Sequence, residues 1–148
     1  MTITRTNVET IIVARVGALM RLEGIDLDGT TVDGTNEDLN DPIGVALRSM
    51  GESVADISSV SDADLEVVAE ADFNELLDRT ELRTLETIES NFKLVDISTG
   101  PRSEKFSQMI SFVQARKKQL IDRIEKEYGI ASFEAGYIAM DFAEHDDE

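Results

Sequence analysis

The 148-residue chain has no cysteine, no tryptophan, two prolines and a single histidine. Without cysteine, disulfides, thiolate metal sites and thiol nucleophiles are excluded, and the redox compartment cannot be read. The one histidine, His145, lies in the acidic end Glu144-His145-Asp146-Asp147-Glu148, where a terminal imidazole is expected to be solvated. Long apolar runs are missing as well. No segment approaches the ~20 residues of a membrane span, and Glu9, Arg15 and Arg21 interrupt any signal-peptide core near the start. These absences point to a soluble chain of intracellular origin with no membrane partner.

Positive charge is also scarce. Fourteen Lys and Arg face 31 Asp and Glu, for a net charge of −17. Phosphate binding draws its affinity from Lys and Arg, so a tight nucleic-acid binder is disfavoured, as is docking on anionic lipid. The deficit is uneven. Residues 1–78 hold seventeen acids and four bases, residues 79–128 eight acids and ten bases, and the last twenty residues six acids and no base. Between Arg48 and Arg79 there are nine acids and no base. Such a block reads as a solvated acidic face, as adaptation to high salt, or as a surface that avoids DNA or meets a basic partner.

What is present is mostly helical pattern. With 41% apolar residues, the chain can bury one core. Thr6-Asn7-Val8-Glu9 has the spacing of a capping box, and Val8, Ile11, Ile12, Val16, Leu19, Met20 and Leu22 follow at helical intervals, with a stop expected at Gly24. Residues 24–40 are rich in Gly, Asp and Thr. The two Asp-Gly pairs suggest a small hairpin in a flexible, projecting polar loop. Asp26, Asp28 and Glu37 stand at calcium-loop spacing, making them weak metal candidates, but Thr31 and Asp33 occupy positions where such a loop wants Gly and an apolar residue.

Asp41-Pro42 reads as an N-cap followed by Pro at the first helical position, opening a helix that stops at Gly51. Ser61-x-x-Asp64 opens another, whose stripe runs Leu65, Val68, Ala69, Phe73, Leu76, Leu77, Leu85 and Ile88, with a break expected near Asp72. A short strand is expected near 92–97, and Gly100-Pro101 reads as a turn. From Ser103 the stripe Phe106, Met109, Ile110, Val113, Leu120, Ile121, Ile124 and Tyr128 marks a long helix closed by Gly129, with Lys117 on the same face. That face is longer than one small core needs, so Phe106, Met109, Val113 and Leu120 are candidates for a subunit interface.

The fold class is therefore mainly α: a compact bundle of four to five helices with a long polar loop at 24–40, a short strand near 92–97 and an extended C-terminal arm. Residues 1–129 form the helical domain and 130–148 the arm with its acidic end. The arm carries Phe133, Tyr137 and Phe142, with Ile138 and Met140 between them. Aromatic burial contributes roughly 1.5–3 kcal/mol each, so this segment either folds back on its own core or docks on a partner, where these five residues would form the contact.

No phosphate-loop, dinucleotide, metalloprotease or nucleophile-elbow motif occurs, which points away from an enzyme, and no cofactor is implied.

The order of a short apolar helix, a polar loop, Asp41-Pro42-Ile43 with Ala46-Leu47 and Met50-Gly51, then Ser61-Asp62-Ala63-Asp64-Leu65, Glu75-Leu76-Leu77, Glu81-Leu82-Arg83-Thr84-Leu85-Glu86 and a final long helix resembles the head–tail adaptor (connector) proteins of tailed phages and viruses. The likeness spans about residues 6–128 and rests on layout. It implies a structural protein of the virion neck, assembled in the host cytoplasm as a homo-oligomeric ring, usually of twelve copies. It further implies contacts with the portal protein and the next neck or tail component, with DNA passing through the lumen without specific binding, and no catalytic residue. A lumen lined with carboxylates repels phosphate and lets DNA slide. The rival expectation is an acidic helical module that binds a basic partner or mimics DNA, and a further one is a calcium-dependent binder.

Overall fold

The computed structural model describes residues 2–94 and 100–129; for 93, 94 and 100–106 only the backbone path is described. Among the described residues five α-helices carry the fold: α1 (Arg5–Met20), α2 (Asn40–Ser49), α3 (Asp62–Leu65), α4 (Phe73–Leu94) and α5 (Gly100–Glu127). Short 3-10 turns at Glu37–Leu39 and Glu70–Asp72 lead into α2 and α4. No strand occurs among the described residues. The expected mainly α bundle is thus observed.

The caps explain several boundaries. α1 starts two residues earlier than the Thr6 pattern suggests, because Thr4 and Asn7 form the reciprocal cap: Asn7 N–H donates to Thr4 Oγ1 and Thr4 N–H to Asn7 Oδ1. α1 ends at Met20, four residues before Gly24, whose φ of +92° serves the following turn. α2 begins at Asn40 after a 3-10 turn, so Asp41 and Pro42 lie inside its first turn. Gly51, at φ +88°, is the stop the sequence suggests; Glu52 N–H closes the end by donating to Leu47 O. The Ser61–Asp64 box opens α3, and the break before α4 falls around Asp72 as expected.

Two expectations fail further on. α4 continues through Leu94, so Phe92, Lys93 and Leu94 are helical instead of opening a strand; residues 95–97 lie outside the described residues. Phe92 is 1% exposed and keeps that last turn on the core. Gly100-Pro101 forms the first turn of α5, not a separate turn, as suits a Pro near a helix N-terminus.

α4 is the central element. It packs against α1, α2 and α5, and seven consecutive residues, Leu76 to Leu82, are buried. A helix with one solvent face cannot do this, since burial would then repeat every three or four residues. Leu76, Leu77, Leu85 and Ile88 meet Val8, Ile12 and Val16 of α1 and Ile43 and Leu47 of α2 in one core, with Val113, Leu120 and Ile124 supplied by α5. The polar residues Asp78, Arg79, Thr80 and Glu81 are buried with them.

Candidate functional site

Two buried polar clusters organise the molecule, one at each end of α1.

The first centres on Arg5 and Glu9, whose side chains are 5% and 0% exposed. Arg5 Nε sits 2.9 Å from Glu9 Oε2, an ion-pair contact in which the N–H is not aimed along a hydrogen bond. Arg5 Nη1 donates to Asn40 Oδ1 (2.6 Å) and Val60 O (2.7 Å), and Nη2 donates to Asn36 O. Glu9 receives Gly34 N–H at 2.7 Å and Asn36 N–H at 3.0 Å. Asn36, fully buried, donates to Asp28 O and Thr31 O. The expected flexible, projecting loop is therefore folded onto α1, because a buried carboxylate and a buried amide bind its backbone. The expected hairpin is absent for the same reason: the loop's polar groups bond to side chains instead of to a second strand. An open cleft of about 680 Å³ lies over Arg5, between this loop and residues 57–60.

The calcium candidates do not converge. The Asp28 carboxylate is held at about pKa 2 by hydrogen bonds from Thr31, side chain then backbone, and from Thr30, outweighing its slight desolvation. Asp26 has φ +53° and an exposed side chain, and Glu37 is exposed in a 3-10 turn. No group of three or more metal-ligating side chains occurs among the described residues.

The second cluster joins α1, α4 and α5. Asp78 and Glu81 of α4 have side chains 3% and 1% exposed. Arg116 grips Glu81 with two bonds, Nε to Oε2 at 2.7 Å and Nη2 to Oε1 at 3.1 Å, and the Glu81 bond is the main cause that raises its pKa further. Arg15 Nη1 reaches both Asp78 Oδ1 (3.2 Å) and Glu81 Oε1 (3.1 Å). Arg123 Nη1 approaches the same Asp78 Oδ1 from α5 at 3.3 Å, and Tyr128 O–H donates to Oδ2 at 3.0 Å. Desolvation first, and the Asp78 bond second, push the Tyr128 pKa up to about 12. Beside these groups opens a cleft of about 400 Å³ lined by Arg15, Asn74, Asp78, Arg123, Glu127 and Tyr128.

Of the residues marked as an interface, Val113 and Leu120 are 0% exposed and belong to this chain's own core, and Met109 packs partly against it. In this arrangement α4 already covers them. The Phe106 side chain and the arm residues Phe133, Tyr137, Ile138, Met140 and Phe142 lie outside the described residues. Among the described residues of α5, the large apolar side chains that face outward are Phe112, 58% exposed, and Ile121 of the expected stripe, 36% exposed. Lys117 behaves as its place on the stripe suggests: half-buried, with Nζ 2.9 Å from Glu89 Oε1.

Sequence reasoning passed over Arg15, Asp78, Glu81, Arg116 and Arg123. In helical projection the acids stand off the apolar stripe of α4, which ordinarily means solvent. The available signal was that Arg116 and Arg123, seven residues apart, fall on one face of α5 beside its apolar stripe, and that Asp78 and Glu81, three apart, fall on one face of α4. Among the described residues no helix is long and apolar enough to cross a membrane. No family model, curated protein or solved structure matches the chain.

Proposed function

We propose that the chain is a structural head–tail adaptor of a tailed virus, forming a ring beneath the portal and joining capsid to tail. The observation that carries this reading is the order of elements. A leading helix, an irregular segment, α2, the short α3, the long central α4 and the longer α5 follow one another in the layout on which the resemblance rests. The polar clusters fit a scaffold role, since their charged groups hold loops and helices in place. The exposed carboxylates of the base-free stretch, among them Asp56, Glu66 and Asp72, would keep threaded DNA sliding in the lumen by repelling its phosphates.

The test is attachment. Replacing Phe133, Tyr137 and Phe142 together with Ser is expected to leave the helical core folded, by circular dichroism, while abolishing co-sedimentation with portal particles. Undiminished co-sedimentation would remove the docking role. A map of the assembled particle with the Asp56–Asp72 carboxylates on its outer rim would remove the lumen role.

A further inference from the structure

We infer that the Asp33–Gly34 peptide unit is a latent isoaspartate site, and that the buried Glu9 carboxylate of α1 is what holds it off. The site does not depend on the ring reading above.

The loop at 24–40 holds two Asp-Gly pairs, Asp28–Gly29 and Asp33–Gly34. At such a pair the glycine nitrogen is open to attack the carboxyl carbon of the preceding side chain, because glycine has no Cβ to shield it. A bond forms between that nitrogen and Cγ, and the N–H proton departs with a hydroxyl of the protonated carboxyl as water. Water then reopens the cyclic imide at either carbonyl. Opening at the main-chain carbonyl routes the backbone through the side chain, which lengthens it by the aspartate Cβ. Water is the only co-reactant, lost in the first step and regained in the second.

Two sets of bonds oppose this at Asp33–Gly34. Gly34 N–H donates to Glu9 Oε1 at 2.7 Å, and the Glu9 side chain is 0% exposed. A nitrogen losing its proton there would become an anion beside a buried anion, which Coulomb repulsion disfavours. The same bond fixes the peptide plane, so the nitrogen is not free to turn onto Cγ. The Asp33 carboxylate, for its part, accepts from Thr35 N–H at 3.1 Å and from Thr35 Oγ1. These bonds, the hydroxyl first, hold its pKa below the ordinary 3.8, so the protonated form that can expel water is scarce near neutrality. Packing sets no obstacle. Asp33 is exposed, and a Cβ placed on Gly34 would meet only Thr6 Oγ1, at 3.5 Å.

Asp28–Gly29 is guarded by packing instead. Gly29 is buried, a Cβ there would lie 2.3 Å from Gly17 O, and Arg21 Nη1 holds its carbonyl at 2.9 Å. Glu9 makes its bonds to Arg5, Gly34 and Asn36, so the Asp28 pair serves as an internal control.

The experiment follows isoaspartate in the full chain over several weeks at neutral pH and physiological temperature, by peptide mapping with fragmentation that separates the two linkages. In wild type the rate at Asp33 is expected to be at least ~tenfold below that of the same chain unfolded in urea, a factor that one hydrogen bond to a charged acceptor supplies. Gly34 N–H is expected to exchange slowly with deuterium. Glu9→Gln removes the repelling charge and keeps an acceptor oxygen, and Thr35→Val removes the hydroxyl bond to Asp33. Each is expected to raise isoaspartate several-fold at Asp33 while Asp28 keeps its wild-type rate. Thr35→Val leaves the Glu9 anchor intact, and it decides the matter should Glu9→Gln lose its helical circular dichroism. Equal acceleration at Asp28 and Asp33 would mean general loosening and overturns the role of Glu9. A native wild type that converts at Asp33 as fast as the unfolded chain, an unprotected Gly34 amide, or a rate at Asp33 that neither substitution moves overturns the inference.

Discussion

Arg5 and Glu9 stand one turn apart on α1, Nε to Oε2 at 2.9 Å, and together they bind the backbone of two separate loops. Neither side chain is accessible to water beyond 5%. The pair therefore holds residues 34–36 and Val60 to the helix. Its value lies in giving each buried charge its counter-charge and each loop group a partner, because burying two charges is costly in itself.

Removing one partner should be far worse than the pair's net contribution. Glu9→Ala leaves Arg5 buried without its counter-charge and Gly34 and Asn36 N–H without an acceptor, so a loss of about 3–5 kcal/mol is expected. Urea unfolding followed by circular dichroism measures it. A cycle with Arg5→Met should show strong coupling; strictly additive losses would mean the two residues act independently.

Gly17 gives a prediction opposite to ordinary helix propensity. Alanine in a helix interior normally stabilises by about 1 kcal/mol over glycine. Here a Cβ on Gly17 would lie 2.7 Å from Gly29 O, and one on Gly29 would lie 2.3 Å from Gly17 O. Both obstacles are backbone. Gly17→Ala and Gly29→Ala are each expected to lower stability by about 1–3 kcal/mol, and a rise in the melting temperature of either would contradict the close packing of the loop on α1.

Tyr128 should report the second cluster by pH. Its folded pKa, about 12, lies above the ordinary 10.0. A raised pKa means the folded state holds the proton more tightly. Its contribution is thus complete below pH 10 and is lost as pH rises towards 12. Phenolate absorbance should show one tyrosine titrating late, and Tyr128→Phe should abolish that late step. A late step that survives the substitution would assign it elsewhere.

Asp28 works in the other direction. Its folded pKa of about 2 lies below the ordinary 3.8, so its contribution is present above pH 4 and is lost as pH falls towards 2. The stability gap between wild type and Asp28→Ala should be open near neutrality and close near pH 2. An equal gap at both would mean that the Thr30 and Thr31 hydrogen bonds do not depend on the charge.

Calcium should be inert. Asp26, Asp28 and Glu37 do not form a ligand cluster, and Asp28 already accepts from Thr30 and Thr31. Excess calcium or chelator is expected to leave the melting temperature unchanged; a rise with calcium would reinstate the metal.

Helix number, the Gly51 and Gly129 stops, the Ser61 cap and the break near Asp72 were legible because they depend on local chemistry: apolar spacing, caps and positive-φ glycine. The acidic excess and its confinement to residues 1–78 and the tail were equally plain from composition. The fate of individual charges was not. Glu9 resembled the end of a capping box and proved to be a buried anchor, while Asp78 and Glu81 resembled solvent-side residues and proved to lie beneath three arginines. Phe92 seemed to open a strand and instead ends α4 on the core. Such outcomes depend on which helices lie alongside. α4 has no solvent face at Asp78 only because α1 and α5 flank it, and a carboxylate is stable there only because Arg15, Arg116 and Arg123 arrive from those neighbours. The sequence by itself determined which segments become helices and how strongly acidic the chain is. The tertiary structure alone decided which of its charges are buried as mortar and which, like Arg15, Arg123 and Glu66, remain at the surface, since the cost of burying a charge depends on partners that are distant along the chain.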